Sequence, residues 1–317
     1  MTKPFRAAVV GVGHLGRHHA RLLARLPNVE LAGVVDSDAR RAAAVAAELG
    51  TRAAAAIEEL AADLDGVTVA VPTAAHADVA LPLLRAGVAV LVEKPITASV
   101  AQADALVEAA AASGATLAVG HTERYNPAVT TARDLVSAPR FIEGHRLAGF
   151  ARRSLDIDVV FDLMIHDLDI VLSLVGSEPA SIEAVGVPVL TERVDIANAR
   201  IRFRNGCLVN LTASRISRDR VRKLRVFEPH AYVSLDYGAQ EVEAWRVSRD
   251  GAGEPAIEGG AVPVARAEPL AQELADFVRA CRTGSRPRVT GEDGRRALVL
   301  AQRVAAAIAE EPEVGPS

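Results

Sequence analysis

Residues 5–16 read Phe-Arg-Ala-Ala-Val-Val-Gly-Val-Gly-His-Leu-Gly, a short apolar run that ends in a glycine turn, Gly11-Val12-Gly13-His14-Leu15-Gly16. Each glycine of a G-x-G-x-x-G turn has its own task. One makes the tight bend, one lets the backbone approach a pyrophosphate, and one lets the following helix lie close to the strand, with the helix N-terminus facing the anion. Twenty residues past Gly16 stands Asp36, at the end of the next apolar run. From there a carboxylate can accept hydrogen bonds from the ribose hydroxyls of an adenosine. The stretch therefore predicts strand, turn and helix around a dinucleotide. Asp36 would repel a 2′-phosphate, which favours NAD over NADP, although Arg40 and Arg41 weaken that preference.

The pattern repeats outward from this point. Leu31–Val35, Val67–Val71, Val88–Val92 and Thr116–Val119 are short apolar runs, as expected of parallel strands buried on both faces. Between them His18–Leu26, Ala39–Leu49, Asp78–Arg85 and Ser99–Ala112 have helical composition. The order predicts an α/β, doubly wound parallel sheet over residues 1–120. From residue 121 to 317 the character changes to α+β with a large, mainly antiparallel sheet. A helix is predicted over Val159–Val175. Ala197, Ala199, Ile201 and Phe203 alternate with polar residues, and Asn205-Gly206 predicts a type I′ hairpin leading into Cys207–Ser214. Leu224–Phe227, Ala231–Leu235 and Glu241–Val247 read as further strands, Arg249–Pro269 as an excursion loop, and the chain closes with helices near Pro269–Cys281 and Glu292–Ile308.

Composition bounds the function. The chain has 317 residues, half of them hydrophobic, with a formal net charge of −4, so two globular domains are expected. The acidic balance and 3% aromatics argue against nucleic-acid binding by phosphate neutralisation or base stacking. No uncharged apolar run approaches the roughly 18 residues of a membrane span, and no signal-peptide pattern follows Lys3 and Arg6. A soluble, cytoplasmic protein is expected. Cys207 and Cys281 make neither a disulfide framework nor a metal cluster. The histidines, His18-His19 included, show no ligand spacing with them, so no metal is expected and the His18-His19 pair is read as solvent-facing.

Only Lys3, Lys94 and Lys223 are lysines among 36 basic residues. Lys94 follows Val88–Val92 within Glu93-Lys94-Pro95, where the carboxyl ends of strands line the ligand crevice. A part-buried lysine can exchange a proton with a hydroxyl, whereas an arginine stays charged. A second constellation, Asp162-Leu163-Met164-Ile165-His166-Asp167-Leu168-Asp169, puts Asp162 and His166 one helical turn apart, a carboxylate beside a proton acceptor.

GVGHLG, VPTAAH (71–76), EKP, GHTERYNP (120–127) and DLMIHDLD together resemble the Gfo/Idh/MocA oxidoreductases, and ELADFVRACRTGSRP (273–287) and EDGRRAL (292–298) extend the likeness over essentially the whole chain. The resemblance implies hydride transfer between a nicotinamide and a hydroxyl-bearing carbon. It implies Lys94, Asp162 and His166 as catalytic residues, with cofactor contacts from Gly11, Gly13, His14, Leu15, Gly16, Asp36, Pro72, Thr73, His76, Glu93 and Lys94. It also implies a homodimer or homotetramer built on the C-terminal sheet. GHTERYNPAV, DIANARIRFRNG and TASRISRDRVRKLRVFE resemble more narrowly a bacterial subgroup that includes UDP-N-acetylglucosamine 3-dehydrogenases. Arg124, Tyr125, Asn126 and Arg152 or Arg153 are expected to touch substrate, and the run Arg215, Arg218, Arg220, Arg222, Lys223, Arg225 is expected either to meet a diphosphate or to guard a strand edge by charge. A free-sugar or inositol dehydrogenase, or a non-catalytic NAD-linked sensor, are the rival readings.

Overall fold

The computed structural model describes residues 3–61, 63–150, 157–248 and 255–310. The chain forms two compact units, Met1–Thr122 with Glu268–Arg295, and Glu123–Ala267 with Arg296–Ser317. The expected assignment of all of 121–317 to the second domain therefore needs correction, because the segment from Glu268 returns to the first unit. The reason is apolar burial. Leu274, Phe277 and Val278 join the core of Phe5, Ala7, Val9, Leu23 and Leu91.

In chain order the first unit contains β1 (Phe5–Val10), α1 (His14–Leu23), β2 (Val29–Val35), α2 (Ala39–Leu49), β3 (Ala53–Ala54), α3 (Glu58–Ala61), β4 (Gly66–Val69), α4 (His76–Arg85), β5 (Ala89–Glu93), α5 (Val100–Ser113) and β6 (Leu117–Gly120). The six strands form one sheet in the order β3-β2-β1-β4-β5-β6, and every pairing is parallel. The chain leaves β1 towards β2 on one side and returns to β4 on the other, so the topological switch point lies between β1 and β4. Local chemistry starts and stops the helices. Asp38 caps α2 by accepting from the N–H groups of Arg40 and Arg41, Ser99 caps α5, and Gly50 and Gly114 end these helices in the left-handed region.

The second unit contains α6 (Pro127–Leu135), β7 (Phe141–Leu147), a π-helical turn (Val160–Met164) running into α7 (Ile165–Val175), then β8 (Pro179–Val187), β9 (Ile196–Phe203), β10 (Leu208–Ser214), β11 (Val221–Glu228), β12 (Ala231–Asp236), β13 (Glu241–Ser248) and β14 (Ala256–Val262). After α8 (Pro269–Thr283) in the first unit, α9 (Gly291–Glu310) ends the described chain. The eight strands order as β14-β13-β12-β11-β7-β10-β9-β8; β10 and β7 pair in parallel and the rest antiparallel. One face carries the core: Ala197, Ala199, Ile201 and Phe203 of β9 meet Ile165, Leu168 and Leu172 of α7 and Leu300 and Val304 of α9. Among the described residues no helix is long and apolar enough to cross a membrane.

Three expectations change here. Val159–Val175 is not one uniform helix, since its first turn is π-helical. The stretch read as an excursion loop holds β14, an edge strand whose Gly259 and Gly260 hide any alternation. The β9–β10 hairpin is not type I′. Only Gly206 takes a positive φ, at 86°, and the loop closes through Gly206 N–H to Phe203 O and Phe203 N–H to Cys207 O, both at 2.9 Å. That is a three-residue loop with the glycine in the bulge position.

Candidate active site

The cofactor end is built from backbone. Gly11 sits at φ 84°, and a Cβ there would lie 2.7 Å from the carbonyl of Ala70 beyond β4. At Gly16 a Cβ would fall 1.7 Å from Gly11 O, whereas at Gly13 it would meet nothing within 4 Å. Two glycines thus close the turn and the third leaves open space over it. Gly13 is also the N-cap of α1 and offers no side-chain acceptor, so the first N–H groups of the helix face outward as an anion site.

Asp36 lies at the carboxyl end of β2 with its residue 9% exposed. Its Oδ2 accepts from Val12 N–H at 2.8 Å and its Oδ1 from Asp38 N–H at 2.9 Å. The Arg41 guanidinium, about half exposed, approaches at 3.3 Å. The carboxylate therefore both braces the glycine turn and carries a loose cation that ribose hydroxyls can replace. Along the sheet the carboxyl ends of β2, β1, β4 and β5 present Asp36, the Gly11–Gly16 turn, Pro72-Thr73 and Lys94 in that order. Three strand spacings of about 4.8 Å separate the first from the last. This linear display of carboxylate, anion site and amine fits an extended dinucleotide.

The other loops of this crevice hold one another. His76 is buried at the start of α4, with Nδ1 2.9 Å from Pro95 O and Nε2 3.0 Å from Val71 O. Burial lowers its pKa, outweighing the two carbonyls. Its ring thus ties the loop after β4 to the loop after β5. Thr73 opens the short 3₁₀ turn (Thr73–Ala75) before it, with Pro72 as N-cap. Lys94 is half-buried and joined to Pro95 by a cis peptide, while its N–H donates to the Glu93 carboxylate at 3.2 Å. The expectation of a solvent-facing His18-His19 pair is half wrong. His18 is exposed, but His19 is fully buried with Nε2 2.9 Å from Glu93 Oε1. The buried face of α1 is Gly16, His19, Ala20 and Leu23, the helical spacing that puts four residues on one side.

The second unit carries Asp162 in the π-helical turn and His166, half-buried, in the first turn of α7. A π-turn inside a helix commonly marks a functional site. The neighbouring acids have different work. Asp167 is gripped by Arg146, Nε to Oδ2 at 2.7 Å and Nη2 to Oδ1 at 2.9 Å, and Asp169 accepts from Arg124 Nη1 at 3.2 Å. Arg146 also donates to Glu123 Oε1 at 3.0 Å and lies 5.2 Å over the Tyr237 ring. Burial would lower its pKa, yet Asp167 and Glu123 raise it further, so the cation is locked in. The sequence alone does not reveal these pairs, because the partners are far apart along the chain.

The expected substrate contacts fall in or near that network. Asn126 is buried and spends every polar atom inside the unit: Oδ1 caps α6 through Ala128 N–H, while Nδ2 donates to Glu123 and to Tyr237 O. Arg124 and Tyr125 are buried as well. Arg152 and Arg153 lie outside the described residues. The basic run is not one basic face. Arg215 is buried against Asp195, Arg222 faces Glu123, Lys223 pairs with Asp236 and Arg225 with Glu143. Arg218 and Arg220, in the loop between β10 and β11, and Lys223 on β11 are its exposed members.

Comparison with known proteins agrees with this geometry. Residues 5–121 match the model of an oxidoreductase family with an NAD-binding Rossmann fold, and 130–234 match the Gfo/Idh/MocA C-terminal domain. A UDP-N-acetylglucosamine 3-dehydrogenase of Acidithiobacillus ferrooxidans is 42% identical over 96% of this chain and 97% of its own. A crystal structure of that enzyme superposes with a TM-score of 0.91 at 41% identity, covering 97% and 98% of the two chains. An inositol 2-dehydrogenase of Rhizobium meliloti is 27% identical over 98% of each chain. The chain belongs to the Gfo/Idh/MocA family and is an NAD(P)-dependent oxidoreductase.

Proposed function

We propose that this enzyme oxidises a hydroxyl of a nucleotide sugar, UDP-N-acetylglucosamine at C3, with NAD as its cofactor. Full-length similarity to an enzyme of that name carries the substrate reading; the inositol dehydrogenase is a more distant relative. When bound, the nicotinamide supplies the acceptor for the hydride that leaves the carbon. The chain's own residues do the rest. Lys94 hydrogen-bonds the reacting oxygen and favours alkoxide development. His166 takes the hydroxyl proton, and Asp162 orients the imidazole and balances the charge it gains. The carbon thus loses a hydride and the oxygen a proton, which leaves a ketone. Asp36 favours NAD, because a 2′-phosphate would meet its carboxylate even with Arg41 beside it.

A thermal-shift comparison with NAD present tests the substrate. A ligand that binds only the folded chain adds about 2.7 kcal/mol at 100 times its dissociation constant. UDP-N-acetylglucosamine is expected to raise Tm, while glucose and myo-inositol leave it unmoved. The reverse pattern would replace the nucleotide sugar by a cyclitol or free sugar.

We also propose a cytoplasmic homodimer or homotetramer formed on the open face of the eight-stranded sheet. In a chain with 3% aromatics, Phe141, Phe227, Tyr232 and Trp245 stand opposite one another across four adjacent strands. Phe141 and Phe227 stack at 5.6 Å, and Phe227 meets Tyr232 at 5.0 Å. Such a row on the face away from the core is an association surface. Trp245→Glu with Phe227→Glu should shift the sedimentation of the native protein to the monomer; an unchanged species would place the interface elsewhere.

A further inference from the structure

Glu273 stands on α8, fully buried, and among the described residues the Thr122 hydroxyl is the donor that favours its ionised form. One side-chain atom each of Glu273, Glu93 and His19 lie within 4.8 Å of one another, and all three residues are buried. Glu93 is held on its remaining sides. His19 Nε2 is 2.9 Å from its Oε1, and the N–H of Lys94 donates to its Oε2 at 3.2 Å. At Gly120, the end of β6, a Cβ would lie 2.8 Å from its carboxyl carbon. Four elements of the first unit, α1, β5, β6 and α8, thus close over a single carboxylate. Its own backbone runs directly into Lys94.

Two carboxylates this close in a buried space disfavour each other's charge, so one of them is driven toward its protonated form. Burial, then the charge of Glu93, pushes the Glu273 carboxyl well above the usual glutamate range. Asp276, one turn further along α8, pushes the same way; the Thr122 hydroxyl alone opposes. We propose that His19, Glu93 and Glu273 form a buried proton-holding clamp that positions Lys94, with Glu273 as the positioning residue farthest from the chemistry. Glu273 keeps a proton and faces Glu93 as a neutral acid, while His19 braces the same carboxylate from the helix whose N-terminus forms the anion site. The turn carrying Lys94 is thereby tied to α1 and α8. The role of Lys94 rests on the function proposed above; the proton on Glu273 does not.

Glu273→Gln and Glu273→Ala in the full chain separate the two parts. The folded chain keeps a proton that the unfolded chain releases above about pH 4.3, so stability falls as pH rises. The sign follows from the unfolded state binding fewer protons, with a limit of about tenfold in the folding constant per pH unit. Glutamine cannot ionise, so Glu273→Gln is expected to gain Tm over the parent progressively between about pH 5 and pH 8. Parallel curves would overturn the proton. For positioning, Glu273→Ala is expected to lower kcat by about 10- to 100-fold with NAD affinity unchanged, and glutamine to recover most of that loss. Glu273→Gln as slow as Glu273→Ala, with both folded, would overturn the clamp. Stoichiometric zinc retained by the parent and lost in Glu273→Gln would also overturn it, since a cation would then neutralise the carboxylates. If the parent turns over no nucleotide sugar, the function proposal fails while the Tm curves still decide the proton.

Discussion

The two units hold the side chains proposed for the chemistry by different means. In the first, the glycine turn and the loops flanking Lys94 are tied mainly through backbone, with the buried Glu93 beside Lys94 as the exception: Gly11 and Gly16 where no Cβ fits, a histidine tied to two carbonyls, and a carboxylate that accepts main-chain N–H groups. In the second, His166 rides on a helix moored by charge, through Arg146 to Asp167 and Arg124 to Asp169. Backbone devices tolerate little change in shape but little depends on their charge. Buried ion pairs are the reverse, because removing one partner strands the other in a medium that cannot solvate it.

The contrast can be broken in order of expected size. Arg146→Met strands Asp167 and Glu123 and should cost about 3–5 kcal/mol of stability, read by denaturant unfolding. A loss below about 1 kcal/mol would mean that water reaches the pair and the mooring is not charge. Gly16→Ala should cost about 1–3 kcal/mol, since its Cβ must displace Gly11. It should also weaken NAD binding, measured by cofactor fluorescence, whereas Arg146→Met that still folds should retain it. Asn126→Ala removes the cap of α6 and should cost about 0.5–2 kcal/mol in the same unfolding experiment. Smallest is Arg225→Ala. Its pair with Glu143 is part-exposed at 3.0 Å, and the expected change is about 0–1 kcal/mol, vanishing at high salt.

The same contrast explains what could be read from the chain. The Gly11–Gly16 turn and the places of Asp36 and Lys94 at strand ends are visible because their reasons are local, a spacing of a few residues after an apolar run. The ion pairs are not, because Arg146 and Asp167 are 21 residues apart and Arg124 and Asp169 are 45 apart. β7 is hidden in the sequence for a related reason, since its buried Arg146 breaks the apolar alternation. His19 had a usable signal that adjacency to His18 masked: with Gly16, Ala20 and Leu23 it falls on the buried stripe of α1. Glu273 likewise shares the buried face of α8 with Leu274, Phe277 and Val278. An acid on an apolar stripe is a sign of function or partnership, not of solvent. Asn126 shows a different limit, since its place in a conspicuous motif gives no sign that its side chain also caps a helix.

Lys94 and His166 are proposed to act on one hydroxyl, and single-turnover reduction of NAD by UDP-N-acetylglucosamine tests that most directly. The parent should develop the reduced-nicotinamide absorbance. His166→Ala should bind NAD as well as the parent and reduce it about 10²- to 10⁴-fold more slowly, and Lys94→Arg should fail likewise because guanidinium keeps its proton. Reduction at the parental rate by either variant would contradict the assignment of the two residues to the chemistry.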